Sequence, residues 1–578
     1  MAASIREKQT AALKRMLNFN APPTKTSLAE PHWKVLIYDK WGEEIISPLL
    51  SVKDLRDFGI TLHLLINAER EAISDVPAIY FVMPTDENIQ QICKDFHNQL
   101  YEKYYLNFIS AISRQKLEDL ALSAIQNNAV TQISKVFDQY LNFISLEDDM
   151  FSLRHHNSES ISYYSINKGD VKDTEMEAIM ESIVDSLFSV FVTVGQVPII
   201  RCPRGNAAEM VSEKLDKKLR DNIRDMRNSL FTSDTVQAEI EEGEVKQPTA
   251  GARPKKKKKS YDLNPTDRFW QSHKGSPFPT VAEAVQEELE SYRAQEDEVK
   301  RLKVAMGLEG EDISAISMLS ENTAKLTSAV SSLPELLQKK RLIDMHTNVA
   351  TAILEQIKAR KLDLYFETEE KLMSKSSLDK SIMDIINDPE AGLPEDKIRL
   401  FIINLICGPS MSETLIGYVR NSEHDLNFYR TYTKMTNPGA YTGGGTKTIS
   451  MVSKLMSHAS QFAMEGVKNL VVKKRNLPVT KVVDALMEMK SSQETDDYRY
   501  FDPKLLRASD SIPRNRTPFQ EAFVFMVGGG NYIEYQNLVD YVKGKTIGPS
   551  AKKITYGCSQ LLNSLQFLEQ LAKLGREM

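Results

Sequence analysis

The first hundred residues alternate between short apolar runs and segments whose apolar positions recur at helical spacing. Residues 33–38 form an apolar run that ends at Asp39, and 52–58 carry helical spacing that stops at Gly59. A second strand is predicted over 60–66, a third over 76–83 closed by Pro84, a helix over 86–100, and a fourth strand over 104–109. Apolar strands alternating with helices predict a parallel sheet covered on both faces, because each crossover helix lies on the sheet it leaves. Two helices are predicted next, over about 114–127 and 130–144, and then a fifth strand within 147–153.

Farther on, 173–191 reads as a helix whose acidic start suits the helix dipole. A strand follows over 198–202 and a helix over 207–231. The pattern then breaks. Residues 239–245 are acidic, and 247–259 hold proline, glycine and five consecutive lysines, so 232–262 is read as a linker. The stretch 265–435 is almost purely helical. Val281, Val285, Leu289, Tyr292, Val299 and Leu302 share one helix face, and Leu336, Ile343, Ala350, Ile353 and Ile357 share another after Pro334. A glycine-rich linker covers 437–447. The end returns to α/β order, with strands at 523–527 and 554–556 and helices at 532–541 and 561–574. A late strand–helix pair needs a sheet to join, and the sheet begun at 146–231 is the simplest host. The expected organisation is therefore an α/β domain over 1–145, and a discontinuous α/β domain over 146–250 and 470–578. A mostly helical domain over 251–469, with a hairpin near 299–360, is inserted into the second.

Composition narrows the function. A chain of 578 residues exceeds one hydrophobic core. A net charge of −6 argues against a general nucleic-acid binder. The four cysteines lie more than a hundred residues apart, without zinc-ligand spacing, which suits a reducing compartment. Residues 1–25 lack the apolar centre of a signal peptide, and the most apolar stretch, 183–200, contains Asp185, Gly195, Gln196 and Pro198. Membrane association is therefore expected to be indirect or peripheral. Residues 443–448 miss the phosphate-loop pattern. Gly528-Gly529-Gly530 follows a strand and precedes a helix, but Tyr532 and Ile533 place bulk where a dinucleotide site needs glycine. A structural turn is preferred there, and a phosphate-binding α/β enzyme is the rival reading. No catalytic signature, cofactor motif or metal-ligand set is found, so a non-enzymatic protein is expected.

Several segments in series carry a family resemblance: Val35-Leu36-Ile37-Tyr38-Asp39, Ile46-Ser47-Pro48-Leu49-Leu50-Ser51, Tyr80-Phe81-Val82-Met83-Pro84-Thr85 and Phe525-Met526-Val527-Gly528-Gly529-Gly530. Together they resemble the SM (Sec/Munc-type) family of SNARE regulators. Phe137-Asp138-Gln139-Tyr140-Leu141-Asn142-Phe143, Asn531-Tyr532-Ile533-Glu534-Tyr535, Leu333-Pro334-Glu335-Leu336-Leu337 and the run 495–503 are most similar to its Sly-type branch, which acts between ER and Golgi.

The resemblance implies a three-domain arch without catalysis, cytoplasmic and peripherally on ER and Golgi membranes. It implies binding to a syntaxin-type Qa-SNARE of the ER–Golgi step and to assembled SNARE complexes, with tethering factors as further candidates and no nucleic acid. A member serving another compartment, such as the endolysosomal type, is the closer rival. Leu117, Leu120 and Ala121 fall at i, i+3 and i+4 of one predicted helix, and Ile133, Val136 and Tyr140 on one face of the next. Periodicity alone reads them as ordinary core; the resemblance places a pocket for the syntaxin N-terminal peptide on them. It also makes Leu333 and Pro334 a hinge in a SNARE-contacting hairpin, with 299–332 as its lid. The chain departs from the family in two places. After the helix ending near Phe231, the family's apolar strand, Asp-Arg pair and following helix are missing, and 403–435 is shortened.

Overall fold

The computed structural model describes residues 3–20, 33–154, 160–225, 230–231, 263, 267–305, 333–407, 476–505, 518–545 and 552–577. They belong to two compact units, one formed by Met1–Gly243 with Arg475–Met578 and the other by Glu244–Lys474. Both predicted linkers, 232–262 and 437–447, lie outside the described residues.

The first unit opens with helix α1 (Ile5–Leu17), started by a capping box in which the Ser4 hydroxyl accepts from Glu7 N and the Glu7 carboxylate accepts from Ser4 N. Then follow β1 (Lys34–Tyr38), α2 (Lys40–Ile46), α3 (Val52–Asp57), β2 (Ile60–Leu65), β3 (Ala78–Val82), α4 (Asp86–Asn98), β4 (Tyr104–Phe108), α5 (Arg114–Gln126) and β5 (Ile133–Asp138). The strands form a parallel sheet in the order β2-β1-β3-β4-β5. Asp39, Ser51, Thr85 and Ser113 cap the helices that follow them, each side chain accepting a first-turn N–H. Ile37, Tyr80, Tyr104 and Leu106 build a core on one face with Leu120 of α5. Leu36, Ile79 and Phe81 build the other with Leu13, Met16 and Leu17 of α1. Arg70 holds Asp95 with two hydrogen bonds, of 2.7 and 3.1 Å, and Tyr80 OH donates to the same carboxylate at 2.6 Å. Burial and the adjacent carboxylate push the Tyr80 hydroxyl well above the ordinary tyrosine range.

A hairpin follows, β6 (Ile144–Glu147) and β7 (Met150–Arg154), and then α6 (Tyr163–Asn167), α7 (Asp173–Val194), β8 (Ile200–Cys202) and α8 (Ala207–Arg224). The second unit contains α9 (Arg268–His273), α10 (Phe278–Ala305), α11 (Leu333–Ala359), α12 (Leu362–Met373), α13 (Ile382–Asn387) and α14 (Pro394–Cys407). There α10 packs on α11, burying Val285, Tyr292, Ile343, Ala350 and Ile357. Ile353, predicted on the same face, is exposed instead. Tyr365, Leu372, Ile385 and Leu400 form a second small core.

The chain returns to the first unit with α15 (Pro478–Met487), β9 (Arg499–Phe501), β10 (Glu521–Met526), α16 (Tyr532–Lys545), β11 (Lys553–Gln560) and α17 (Ser564–Glu577). The late strands join the sheet that β7 opened, in the order β10-β11-β7-β6, with β7, β11 and β10 parallel. The class is thus the expected one, α/β with parallel sheets. The strand expected within 147–153 is present as β7, after the turn of the β6–β7 hairpin and in the second sheet. Two local expectations are corrected. The predicted helix over 130–144 contains strand β5. The strand expected at 198–202 pairs antiparallel with β9 in a separate two-stranded ribbon.

Gly557 sits between Phe151 and Phe525 in one row across β7, β11 and β10. The two rings stack 6.2 Å apart over the absent side chain, and a Cβ there would lie 2.1 Å from the Phe151 ring. Overpacking of this kind costs about 1–3 kcal/mol. Gly557→Ala is therefore expected to lower the unfolding free energy of the first unit by that amount, seen as a lower urea midpoint, whereas Gly544→Ala, where a Cβ meets nothing within 4 Å, does not lower it.

Candidate peptide-binding site

The β4–α5–β5 crossover lies at one edge of the first sheet. Leu120 and Ala124, one turn apart on α5, are buried on the sheet. The helix also keeps apolar residues on its exposed side, where a crossover helix is ordinarily polar. Leu117 is 39% exposed and Ile125 64%, with exposed Ala121 between them, so a row at i, i+4 and i+8 faces outward. Leu122 and Val130 are exposed beside it. Asn128, with φ +56°, turns the chain out of α5, and β5 then runs along β4 as the outermost strand.

The register explains why β5 resembles a helix in sequence. Tyr104 pairs with Ile133 but Tyr105 with Lys135, so Ser134 is an extra residue, a bulge. After it, Val136 lies opposite Leu106. Ile133 and Val136 therefore share a face despite their three-residue spacing, and it is the face that α5 covers. Lys135, on the other face, donates its ammonium to Phe19 O at 3.2 Å. Val136 is 41% exposed.

The six predicted pocket residues thus separate. Leu117, Ala121 and Val136 line the surface at this sheet edge. Leu120 is core, and Ile133 packs against the same core. Tyr140 leaves the group altogether. It takes a left-handed backbone conformation, φ +52°, and its ring meets Phe188 edge-on at 5.7 Å in the core of the second sheet. Its carbonyl accepts from Thr193 Oγ1 at 3.1 Å, and burial raises the pKa of its hydroxyl. Leu122, Ile125 and Val130 were not picked out from sequence, although continuing the four-residue spacing from Leu117 and Ala121 reaches Ile125. Charges rim the strip. Arg114 pairs with Glu118 at 3.0 Å, and Lys116 reaches Asp86 at 2.9 Å and Pro84 O at 2.6 Å.

The glycine turn is occupied by the protein itself. Gly528 N donates to Ser559 Oγ at 3.1 Å, Gly530 N to Gln560 O at 2.9 Å, and Asn531 N to Tyr556 OH at 3.1 Å. Three of the turn's amides are thus bonded within the protein rather than directed together at an anion. Gly528, at φ +96°, supplies a conformation other residues avoid. Leu333 and Pro334 stand in the first turn of α11, where proline is well tolerated. The lid expected over 299–332 lies outside the described residues from 306 onward.

Comparison with known proteins bears on the whole chain. The model of the Sec1 family matches residues 34–241 and 230–570. The chain belongs to the Sec1 family. It is 61% identical to human Sec1 family domain-containing protein 1, covering 99% of this chain and 98% of that protein. It is 50% identical to the protein sly1 homolog of Drosophila melanogaster, over 100% of this chain and 99% of that one. The crystal structure of Sly1p in complex with an N-terminal peptide of Sed5p superposes with a TM-score of 0.77 at 29% identity, covering both chains fully. The SM protein Vps45 in complex with the Qa SNARE Tlg2 shares the fold, with a TM-score of 0.65 at 14% identity over 99% of this chain and 98% of that one. The alignment to the human protein runs over 633 positions against 578 residues here, so at least 55 of its positions have no counterpart in this Sec1-family chain.

The burial contrast on α5 gives a direct test. Leu120→Ala, at a position 3% exposed, should cost about 2–5 kcal/mol by leaving a cavity. Leu117→Ala on the outer row should change stability by less than about 0.5 kcal/mol. Chemical denaturation followed by tryptophan and tyrosine fluorescence reads both.

Proposed function

We propose that this protein is a SNARE-binding regulator of vesicle fusion at the ER–Golgi step, acting from the cytoplasmic side without catalysis. It takes the N-terminal peptide of a syntaxin-type Qa-SNARE on the strip formed by Leu117, Ala121, Ile125 and Val136. The observation that carries this reading is the full-length likeness to Sly1p, whose structure holds a Sed5p N-terminal peptide. The exposed apolar row on α5 supports it, since a short peptide anchors by setting apolar side chains against such a surface. Small Ala121, between two large residues, leaves room for an aromatic side chain. Among the described residues no helix is long and apolar enough to cross a membrane, so a SNARE partner is the proposed route to the membrane. The rival phosphate-binding enzyme is disfavoured by the internally bonded amides of the glycine turn.

Calorimetry with the N-terminal peptide of the ER–Golgi syntaxin tests the site. Leu117→Arg and Val136→Asp each place a charge on the strip, and each should weaken binding at least ~10-fold while leaving the circular dichroism spectrum unchanged. A folded variant that keeps wild-type affinity removes these residues from the site.

The hairpin reading rests on the same family likeness. Pro334 is proposed as the break between a SNARE-contacting arm and α11, and Pro334→Ala should relax it. Faster SNARE assembly in a reconstituted fusion assay, with slower hydrogen exchange at the start of α11, is the expected result. Unchanged rates and exchange would leave Pro334 as a helix start.

A further inference from the structure

The apolar strip lies on the α5 side of β5, and the opposite side of that strand meets the segment that leaves α1. Asn18 ends the helix, and Phe19 and Asn20 follow it, both left-handed, with φ +56° and +54°. Asparagine adopts this conformation readily. For a residue as bulky as phenylalanine it is an outlier, which persists only where the surroundings hold it.

The surroundings of Phe19 and Asn20 come from β1, β4 and β5. The Phe19 ring lies 4.2 Å from that of Tyr105 on β4. The Lys34 ammonium, at the start of β1, sits 4.3 Å from the Phe19 centroid and donates to Leu17 O at 2.9 Å. Lys135 of β5 donates to Phe19 O at 3.2 Å. Asn20 Nδ2 donates to Asn107 Oδ1 at 3.0 Å. Gln139, just past β5, donates to Asn20 Oδ1 at 3.0 Å and to Asn107 Oδ1 at 2.8 Å. Asn20 N donates to Arg15 O at 2.9 Å and so ties the segment back to α1.

Lys135 joins this back side to the front. It stands between the bulged Ser134 and Val136, and it pairs with Tyr105, on which Phe19 rests. A shift of the strand by one residue would move every side chain to the other face. With Lys135 held on the α1 side, Val136 falls on the α5 side, because successive side chains alternate along a strand. The bulge alone permits that arrangement; the bond from Lys135 to Phe19 O favours it over the others.

We infer that Lys135 is a positioning residue for the peptide strip, an inference that rests on the strip being the peptide site. By bonding Phe19 O from behind, it keeps the bulge in place and Val136 beside α5. Peptide binding on the front is thereby coupled to residues 18–20 on the back. Linkage makes the coupling reciprocal, so a peptide that gains affinity from the Lys135 bond also tightens it.

Calorimetry and hydrogen exchange on the full chain test this, with the N-terminal peptide of the ER–Golgi syntaxin as the probe. Lys135→Met keeps the aliphatic stem and removes the donor, and it should weaken peptide binding at least ~5-fold although Lys135 faces away from the strip. Lys135→Arg returns a donor and should restore binding. Asn20→Gly keeps the left-handed backbone and removes the amide that links Asn107 and Gln139, and it should weaken binding as well. In the wild type the peptide should slow exchange of the Asn18, Phe19 and Asn20 amides at least ~5-fold, and in Lys135→Met it should not. A purely structural Lys135 would lower stability but leave affinity and this protection unchanged. Leu117→Arg, measured alongside, separates the two readings. If it weakens binding while Lys135→Met and Asn20→Gly do not, the positioning role is overturned and the peptide site stands. If Leu117→Arg binds like the wild type, the site falls and the positioning role falls with it.

Discussion

Both sheets of the first unit depend on one helix, α1, whose buried Gln9 bonds the edge of the second. Gln9, midway along α1, donates to Phe143 O at 2.7 Å and accepts from Ser145 N, replacing the strand that β6 lacks. A buried amide with its polar atoms satisfied is an asset, but unsatisfied it costs about 1–3 kcal/mol. That bond sets the position of α1, and α1 then works at both ends. Ile5 enters the core of the second sheet, and Leu13, Met16 and Leu17 complete the core of the first. Arg6 adds hydrogen bonds to the Leu146 and Pro48 carbonyls. Without α1 the first sheet would lose part of the cover of one face, and the second sheet the closure of one edge.

With both faces of each sheet covered, the edges remain for interaction. At β5 the device is a bulge. It turns Val136 to the side of α5, beside a helix that keeps an apolar row outward, and so builds a shallow strip from elements that are otherwise ordinary core formers.

Much of this was legible from residue order. The βα alternation over 33–126, the helix beginning at Asp173 and the two closing strand–helix pairs follow from local pattern. Helix α1 does not stand out from residue order, since its apolar residues are interleaved with charges. The capping box at Ser4 and Glu7 was the available sign. The strand β5 was read as helix because a bulge converts a two-residue period into the three-residue spacing of Ile133 and Val136. Tyr140 followed from the same error, and no periodicity reveals that a left-handed residue sends its ring into another core.

The sequence by itself determined the class, the family and the local elements, because strand and helix periods, caps and turn residues act between neighbours along the chain. It also determined that Leu117, Leu120 and Ala121 share a helix, which is a matter of spacing alone. Only the tertiary structure decided that Leu120 faces inward and Leu117 outward, since that depends on which side of α5 meets the sheet. It alone decided that Gln9 closes β6 and that β11 enters between β7 and β10. Those pairings join residues up to several hundred positions apart, and their energy comes from registers and packed faces that do not exist until distant segments meet.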